Sequence, residues 1–250
     1  MTSHLNRSLE RGVEILRAFR PGSTLLGNGE IAERTGLAPA TVSRLTQTLV
    51  GSGWLEHVPA ARAYRLAAPV LSLAHAMRTG SDLLNLAAPR MRAVAEKLRV
   101  NLGLARADRA EMVYLESIRY NRRASLRTVV SGQRVPVELT SLGRAWLAVA
   151  PESVRQALFA GFEERRGDWA VLRGEIDDAM RQVDEHGWCA AAWQPEIVAL
   201  AMPLRLGDDE AGHVLNLSVS SSRPVVQVAG EFAPTLLALG REIEHAMAAR

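Results

Sequence analysis

The sequence predicts an α+β protein with a helical first third and a later sheet that has helices before, between and after it. Three observations lead to this fold class. Apolar residues recur at helical spacing in separate segments of the first 51 residues. Short apolar runs beyond residue 100 flank turn residues, as they do in β-hairpins. Further helical patterns precede, separate and follow those runs.

The first third contains four predicted helices and one hairpin. The first helix follows the spacing of Leu5, Leu9, Val13 and Leu16, and it ends at Pro21-Gly22. In chain order the elements are a helix over 6–20, helices over 29–35 and 39–51, a hairpin of 54–58 and 63–66, a helix near 69–77, and a joint at 79–82 that caps the next helix.

The remaining residues predict a sheet with helices packed around it. A helix over 83–99 carries leucine, methionine, valine and alanine on one face. Two apolar runs around Asp108-Arg109 indicate a second hairpin. The later elements are strands over 101–107, 112–118, 126–130, 197–206 and 213–220, and helices near 141–149, 151–160, 168–186 and 228–249.

Composition excludes several classes of protein. Hydrophobic residues make up 48% of the 250 residues, which is too apolar for a disordered chain. Cys189 is the only cysteine, so an intrachain disulfide and a CxxC metal or redox site are excluded. No apolar stretch reaches 18 residues, and the N-terminus lacks the apolar segment of a signal peptide. We therefore expect a cytoplasmic protein with no membrane partner, no cofactor and no metal site.

The formal net charge of +3 is unevenly distributed. Residues 1–78 hold nine arginines and five acidic residues, which gives +4, and the rest of the chain carries −1. A small excess of arginine is compatible with nucleic-acid binding when it is clustered. The positive charge therefore directs attention to the first third.

Residues 28–47 have the pattern of a helix-turn-helix. Ala32 supplies the small residue where two closely crossing helices touch, and Gly36 supplies the free φ that the turn needs. Apolar contacts at the matching spacing come from Ile31, Leu37, Val42, Leu45 and Leu49. The alternative is a small helical bundle with a solvated polar face. The polar face here is small and free of acids, which favours the helix-turn-helix.

The outer face of the second helix has the chemistry of a DNA-reading surface. The amides at its start, with Thr41 or Ser43, can bind phosphate. Arg44 and Gln47 can make bidentate contacts with guanine and adenine in the major groove. The following hairpin would be the wing of a winged helix. The candidate DNA contacts are Pro39, Ala40, Thr41, Ser43, Arg44, Gln47, Arg62 and Arg65.

The chain resembles the IclR family of bacterial transcription regulators over nearly its full length. The resembling segments are 7–16, 38–45, 132–136, 140–148, 198–203 and 215–220. The resemblance implies a winged helix-turn-helix DNA-binding domain at 1–67, a linker helix at 68–81 and a GAF-like effector-binding and oligomerisation domain at 82–250. In this last domain helices flank a mixed or antiparallel sheet. The resemblance also implies dimers or tetramers on palindromic double-stranded operators.

The segment 215–220 alternates between apolar residues and small polar residues. This pattern predicts either a cavity lined by hydroxyls or a strand whose polar face meets solvent. The resemblance favours a site for small organic acids or aromatics, and its matching positions give the candidate effector residues Ser141, Leu142, Cys189, Ala199, Ser218 and Ser220. Trp188, Trp193 and Met202 are expected to make the surroundings apolar and to favour an aromatic effector.

The predicted function is a ligand-responsive, sequence-specific DNA-binding regulator, either repressor or activator, and not an enzyme. One alternative is a small-molecule-binding module without a DNA role. The other is a cysteine hydrolase that pairs Cys189 with His186, although no orienting acid is evident. The six histidines are scattered without metal-ligand spacing, and no common catalytic motif is present.

Overall fold

The structure is a computed structural model that describes residues 6–120, 129–194, 196–207 and 212–250. The chain divides into two compact units, Met1–Gly80 and Ser81–Arg250. Each unit has its own hydrophobic core and is described by itself. None of the described helices is long and apolar enough to cross a bilayer.

The first unit is a winged helix-turn-helix. Its elements are α1 (Arg7–Ala18), α2 (Asn28–Thr35), α3 (Pro39–Gly51), β1 (Leu55–Val58), a 3₁₀ turn (Pro59–Ala61), β2 (Ala63–Leu66) and α4 (Pro69–Thr79). The two strands pair antiparallel, with Leu55 opposite Leu66. The predicted helices and hairpin of this region are confirmed to within two residues at each end.

Local signals in the sequence set the ends of these helices. The Asn6 side chain accepts hydrogen bonds from the amides of Ser8 and Leu9 and caps α1. Gly36 ends α2 in the left-handed conformation, with φ 68°, and its amide bonds the Ala32 carbonyl. Pro39 begins α3, where its missing N–H costs nothing.

The second unit is a six-stranded sheet with helices on both faces. Its elements are α5 (Asp82–Leu98), β3 (Asn101–Asp108), β4 (Glu111–Ile118), β5 (Arg134–Pro136), α6 (Ser141–Val149), α7 (Glu152–Arg165), α8 (Trp169–His186), β6 (Cys189–Gln194), β7 (Ile197–Leu204), β8 (His213–Ser220) and α9 (Val225–Ala248). The strand order is β5-β4-β3-β8-β7-β6, and each neighbouring pair is antiparallel.

Each face of this sheet has a separate core. Helices α5 and α9 pack on one face, where Leu215 and Leu217 of β8 are fully buried. Helices α6, α7 and α8 contribute to the core of the other face, which contains Val214 of β8. The alternation of side chains along a strand therefore turns Leu215 and Leu217 toward one core and Val214 toward the other.

Three sequence predictions need correction. The edge strands β5 and β6 were not predicted as strands, because one is only three residues long and the other is rich in alanine, which has low strand propensity. A strand was predicted over 126–130, of which residues 126–128 lie outside the described residues and Val129 and Val130 are in no strand. Helix α7 continues to Arg165, five residues beyond its predicted end.

Gly143 provides a test of the packing of α6. A Cβ at this position would lie 2.1 Å from the Val137 carbonyl oxygen and 2.3 Å from the Val137 Cα. Because those atoms belong to the backbone, we expect Gly143→Ala to lower the free energy of unfolding by at least about 1–3 kcal/mol in urea denaturation. Gly174→Ala in α8 is the matched control, since nothing lies within 4 Å of its Cβ position. The control should be neutral or stabilising by up to about 1 kcal/mol, and equal effects of the two changes would contradict the prediction.

Candidate DNA-binding surface and candidate effector site

Helix α3 separates a buried face from a polar face. Val42, Leu45 and Thr46 are buried in the first core. The opposite side carries the six predicted contacts of this helix: Pro39, Ala40, Arg44 and Gln47 are exposed, and Thr41 and Ser43 are half-buried. The structure therefore brings these six residues together on one outward surface.

A buried hydroxyl lies behind this surface and was missed from the sequence. The Thr46 hydroxyl donates within its own helix, 2.9 Å from the Val42 carbonyl oxygen and 3.0 Å from the Ser43 carbonyl oxygen, and it lies 3.4 Å from the Asn28 side-chain oxygen at the start of α2. Thr46 thus packs against α2 on the inner side of the motif. Its position four residues after Val42 was the available signal, since both lie on the core side of α3.

The arginines of this unit have different roles. Arg34 donates to the Ala18 carbonyl and the Ser23 hydroxyl, so it ties α2 to the end of α1. Arg65 on β2 lies 2.7 Å from the Glu56 carboxylate on β1. Arg62 is exposed at the tip of the hairpin with a positive φ of 49°. Of the two predicted wing contacts, Arg62 is exposed at the tip of the hairpin, whereas Arg65 is already paired with an acidic residue.

Helix α4 has no buried residue within its own unit. Leu73 and Met77, which are 59% and 52% exposed, lie four residues apart and share one side of the helix, whereas Leu71 lies two residues before Leu73 and faces another side. Single exposed apolar residues are ordinary, but Leu73 and Met77 together form an apolar surface.

In the second unit, β8 and its neighbours place small residues under α6. Asn216 lies opposite Gly103 and Ala201, and Ser218 lies opposite Asn101 and Ala199. We call this the polar floor, made of two rows across the sheet, Cys189–Ala201–Asn216–Gly103 and Ala191–Ala199–Ser218–Asn101. Its face is the one on which Ala201 and Cys189 pack with α6.

The start of α6 is buried above this face. Ser141 and Leu142 are each 1% exposed, and the Cys189 thiol donates to the Ser141 carbonyl oxygen at 3.5 Å. The Thr140 hydroxyl accepts from the Gly143 amide at 3.2 Å. Among the described residues, no acceptor is found for the Ser141 and Leu142 amides. These are two of the free donors at a helix N-terminus, where the helix dipole favours negative charge.

Most of the predicted effector residues therefore converge. The structure places Ser141 against Cys189, and Ala199 beside Ser218 in the polar floor. Ser220 lies apart, exposed at the end of β8.

The expected aromatic surroundings need correction. Met202 and Trp188 pack in the α5–α9 core on the opposite face of the sheet, because strand alternation turns both away from Cys189. Trp193 is 38% exposed and lines a cleft of about 250 Å³ with Arg144 and Ala191. That cleft opens beside the Ala191 end of the polar floor.

Three polar residues of this face were missed from the sequence. Asn216 is 4% exposed and lies beside Tyr114; burial raises the pKa of the Tyr114 hydroxyl more than the neighbouring Asn216 side chain lowers it. Asn101 lies opposite Ser218. Asn216 could have been identified, since it shares the polar side of its strand with Ser218. Tyr114 and Asn101 reach the site only through strand pairing.

Cys189 lies in a setting that opposes nucleophilic chemistry. Its side chain is fully buried, and burial raises the pKa of the thiol to about 12, although the Arg144 charge lowers it in part. Arg144 is bound to the Glu138 carbonyl and the Glu175 carboxylate. His186 is exposed at the end of α8 and lies 3.7 Å from Glu185. In the described part of the chain, no three metal-ligating side chains cluster closely enough to share an ion.

Comparison with known proteins gives matches over both units. The model of the IclR helix-turn-helix domain matches residues 8–59, and the model of the bacterial transcriptional regulator IclR C-terminal domain matches residues 75–245. The chain is 30% identical to the HTH-type transcriptional regulator TsaQ1/TsaQ2 of Comamonas testosteroni over 98% of this chain and 90% of that protein. It is 28% identical to the Pca regulon regulatory protein of Pseudomonas putida over 95% and 83% of the two chains.

Solved structures share the fold. An IclR family transcriptional regulator from Brucella abortus matches with a TM-score of 0.82 and 31% identity, covering 97% of this chain and 93% of that one. An IclR homolog from Microbacterium hydrocarbonoxydans, solved in complex with 4-hydroxybenzoate, matches with a TM-score of 0.71 and 22% identity, covering 97% and 100% of the two chains.

The raised pKa of Cys189 leads to a prediction about its reactivity. A buried neutral thiol is a poor nucleophile, because the thiolate is the reactive form. We expect iodoacetamide at pH 8 to leave Cys189 unmodified in the folded protein and to modify it fully in guanidinium, as measured by intact mass. Stoichiometric alkylation of the native protein would contradict the described burial.

Proposed function

This chain belongs to the IclR family of bacterial transcriptional regulators, and from that premise we propose how its residues read DNA and bind an effector. The protein is a ligand-responsive DNA-binding regulator. The observation that carries the DNA proposal is the outward face of α3, which presents one arginine and one glutamine and no acid. Because the target is chromosomal DNA, the proposed place of action is the cytoplasm.

Helix α3 enters the major groove in this proposal. Arg44 and Gln47 lie three residues apart, on neighbouring turns of one helix face. Both side chains can make two hydrogen bonds to a single base edge, arginine to guanine and glutamine to adenine. Pro39 and Ala40 are small enough to let the start of the helix approach the backbone, where Thr41 and Ser43 bind phosphate.

The hairpin contributes through its tip. Arg62 is exposed and projects from the turn between β1 and β2, so it is the proposed wing contact to the phosphate backbone or the minor groove. Arg65 can contact DNA only if its guanidinium leaves the Glu56 carboxylate or binds the carboxylate and DNA together. This competition lowers the binding free energy that Arg65 contributes. The two wing arginines therefore differ in expected importance.

Two copies of the chain are needed to read a palindromic operator, since a twofold site matches a twofold protein. We assign the apolar surface of α4 to this self-association. Leu73 and Met77 are exposed within their own unit, and pairing with a second copy would remove them from water. The assembly is a dimer, or a tetramer built from dimers.

The effector site lies between the start of α6 and the polar floor. The unpaired amides of Ser141 and Leu142 can donate hydrogen bonds to a carboxylate, with the α6 dipole adding to the attraction. Ser218 and Ala199 form the surface below, Cys189 closes one side, and Ser220 marks the exposed end of the strand. The proposed effector is a small organic acid, and the relative solved with 4-hydroxybenzoate supports an aromatic one.

Effector binding changes DNA binding only if the ligand prefers one arrangement of the assembly. In this proposal the ligand favours one dimer or tetramer arrangement and hence one spacing of the two α3 helices. The burial of Cys189 does not support a cysteine hydrolase. Membership of a regulator family does not support a small-molecule-binding module without a DNA role.

Arg44→Ala tests the reading helix. We expect it to weaken binding by about 1–3 kcal/mol and to relax base preference at one position of each half-site. The measurement is an anisotropy titration at fixed salt against duplexes selected in vitro with the wild-type protein. Arg92→Ala, at an exposed arginine of α5, is the matched control and should bind as the wild type does. Wild-type affinity in the Arg44 variant would remove α3 from the proposed interface.

Leu73→Asp tests the apolar surface of α4. Losing the burial of one leucine should weaken self-association by about 1.5–3 kcal/mol, which sedimentation velocity detects as a shift to smaller species on dilution. Val226→Asp is the control, because Val226 is 82% exposed but lies at the start of α9. An unchanged assembly in the Leu73 variant, or an equal loss in both, would rule out this surface of α4 as the contact.

A further inference from the structure

The polar floor holds buried acceptors that have no donor. The Asn216 and Asn101 side-chain oxygens are both inaccessible to solvent, and neither has a hydrogen-bond partner among the described residues. A buried carbonyl oxygen without a donor is unfavourable, so such groups are rare in proteins. Two of them on one face of a sheet indicate a place where a donor from outside the chain completes the site.

The strand register places both oxygens next to Ser218. Asn101 lies directly opposite Ser218, and Asn216 lies two residues before Ser218 on β8. Asn101 and Asn216 are therefore diagonal neighbours, at positions that are typically about 7–8 Å apart. A small molecule that reaches Ser218 is within reach of both amides.

The Asn216 side-chain oxygen has no donor among the described residues, and the buried Tyr114 ring lies beside it. Gly103 makes room for the two side chains, since a Cβ there would lie 2.4 Å from the Asn216 oxygen and 2.4 Å from the Tyr114 ring. The side chain is thus oriented by its neighbours, and its acceptor is left without a donor.

The charge of the floor determines which end of a ligand it takes. Its residues are cysteine, alanine, asparagine, glycine and serine, so it offers no cation to a carboxylate. Carbonyl oxygens repel carboxylate oxygens and attract O–H and N–H groups. Hydrogen-bond donors for a carboxylate are therefore available at the start of α6, and hydrogen-bond acceptors for O–H or N–H groups are available in the polar floor.

We propose that Asn216, assisted by Asn101, recognises a hydroxyl or amino group of the effector, so that the effector is a carboxylate that also carries a hydrogen-bond donor. This inference rests on the proposed carboxylate site at the start of α6. The ligand then lies with its carboxylate toward the Ser141 and Leu142 amides and its donor toward the floor. Asn216 is the residue that distinguishes such acids from their unsubstituted counterparts.

The test compares matched acids on the full-length protein by thermal shift and calorimetry. The donor acids are 4-hydroxybenzoate, 4-aminobenzoate and 3-hydroxybutyrate, and their counterparts are benzoate, 4-methoxybenzoate and butyrate. One satisfied hydrogen bond corresponds to a preference of roughly tenfold for the donor acids. Asn216→Leu keeps a similar side-chain volume without polar atoms, and it should remove the preference. Asn85→Leu, at an exposed asparagine of α5, should retain it.

The outcomes separate this inference from the proposed function. If acids with and without a donor bind the wild type equally, the inference is wrong and an ordered water satisfies the two oxygens. If the preference persists in Asn216→Leu, the donor is recognised elsewhere. If no acid of either group binds, the carboxylate site itself fails and the inference fails with it. The wild-type comparison needs no variant, so it holds even if Asn216→Leu does not fold.

Discussion

The second unit depends on the close approach of α6 to its surroundings, which small residues permit. Gly143 leaves no room for a side chain against the Val137 backbone, and Gly103 leaves none beneath Asn216 and Tyr114. Alanines occupy the floor between them. A larger residue at these positions would move the helix start away from the sheet. The effector site proposed between the unpaired amides of α6 and the unpaired oxygens of the floor would then be lost.

A comparable constraint shapes the first unit. Gly36 takes the left-handed conformation that reverses the chain between α2 and α3, and the buried Thr46 side chain packs against the start of α2 on their inner side. With the inner face of α3 committed to the core, its polar residues can only point outward. The packing of the motif therefore produces the outward polar surface that is proposed to read DNA.

The interior of each unit was easier to predict from the sequence than the polar contacts between its side chains. Helical spacing and turn residues located α2, α3 and α6 closely, because these segments carry strong local signals. The edge strand β6 was not found, since its alanines become a strand only by pairing with β7. Met202 and Trp188 were expected near Cys189, but strand alternation turns them into the other core. From the sequence, Arg62 and Arg65 were both candidate DNA contacts. The pairing of β1 with β2 distinguishes them, because it places Arg65 beside Glu56.

The sequence alone was sufficient to predict the family, the fold class, the helix-turn-helix and the polar face of β8, since these depend on residue type and spacing over short distances. The site between α6 and the sheet was decided by tertiary structure. Asn101, Tyr114 and Asn216 come from three strands far apart in sequence, and only the register of β4, β3 and β8 makes them neighbours. Whether a buried amide finds a donor depends on every group packed around it, and that is a property of the folded chain.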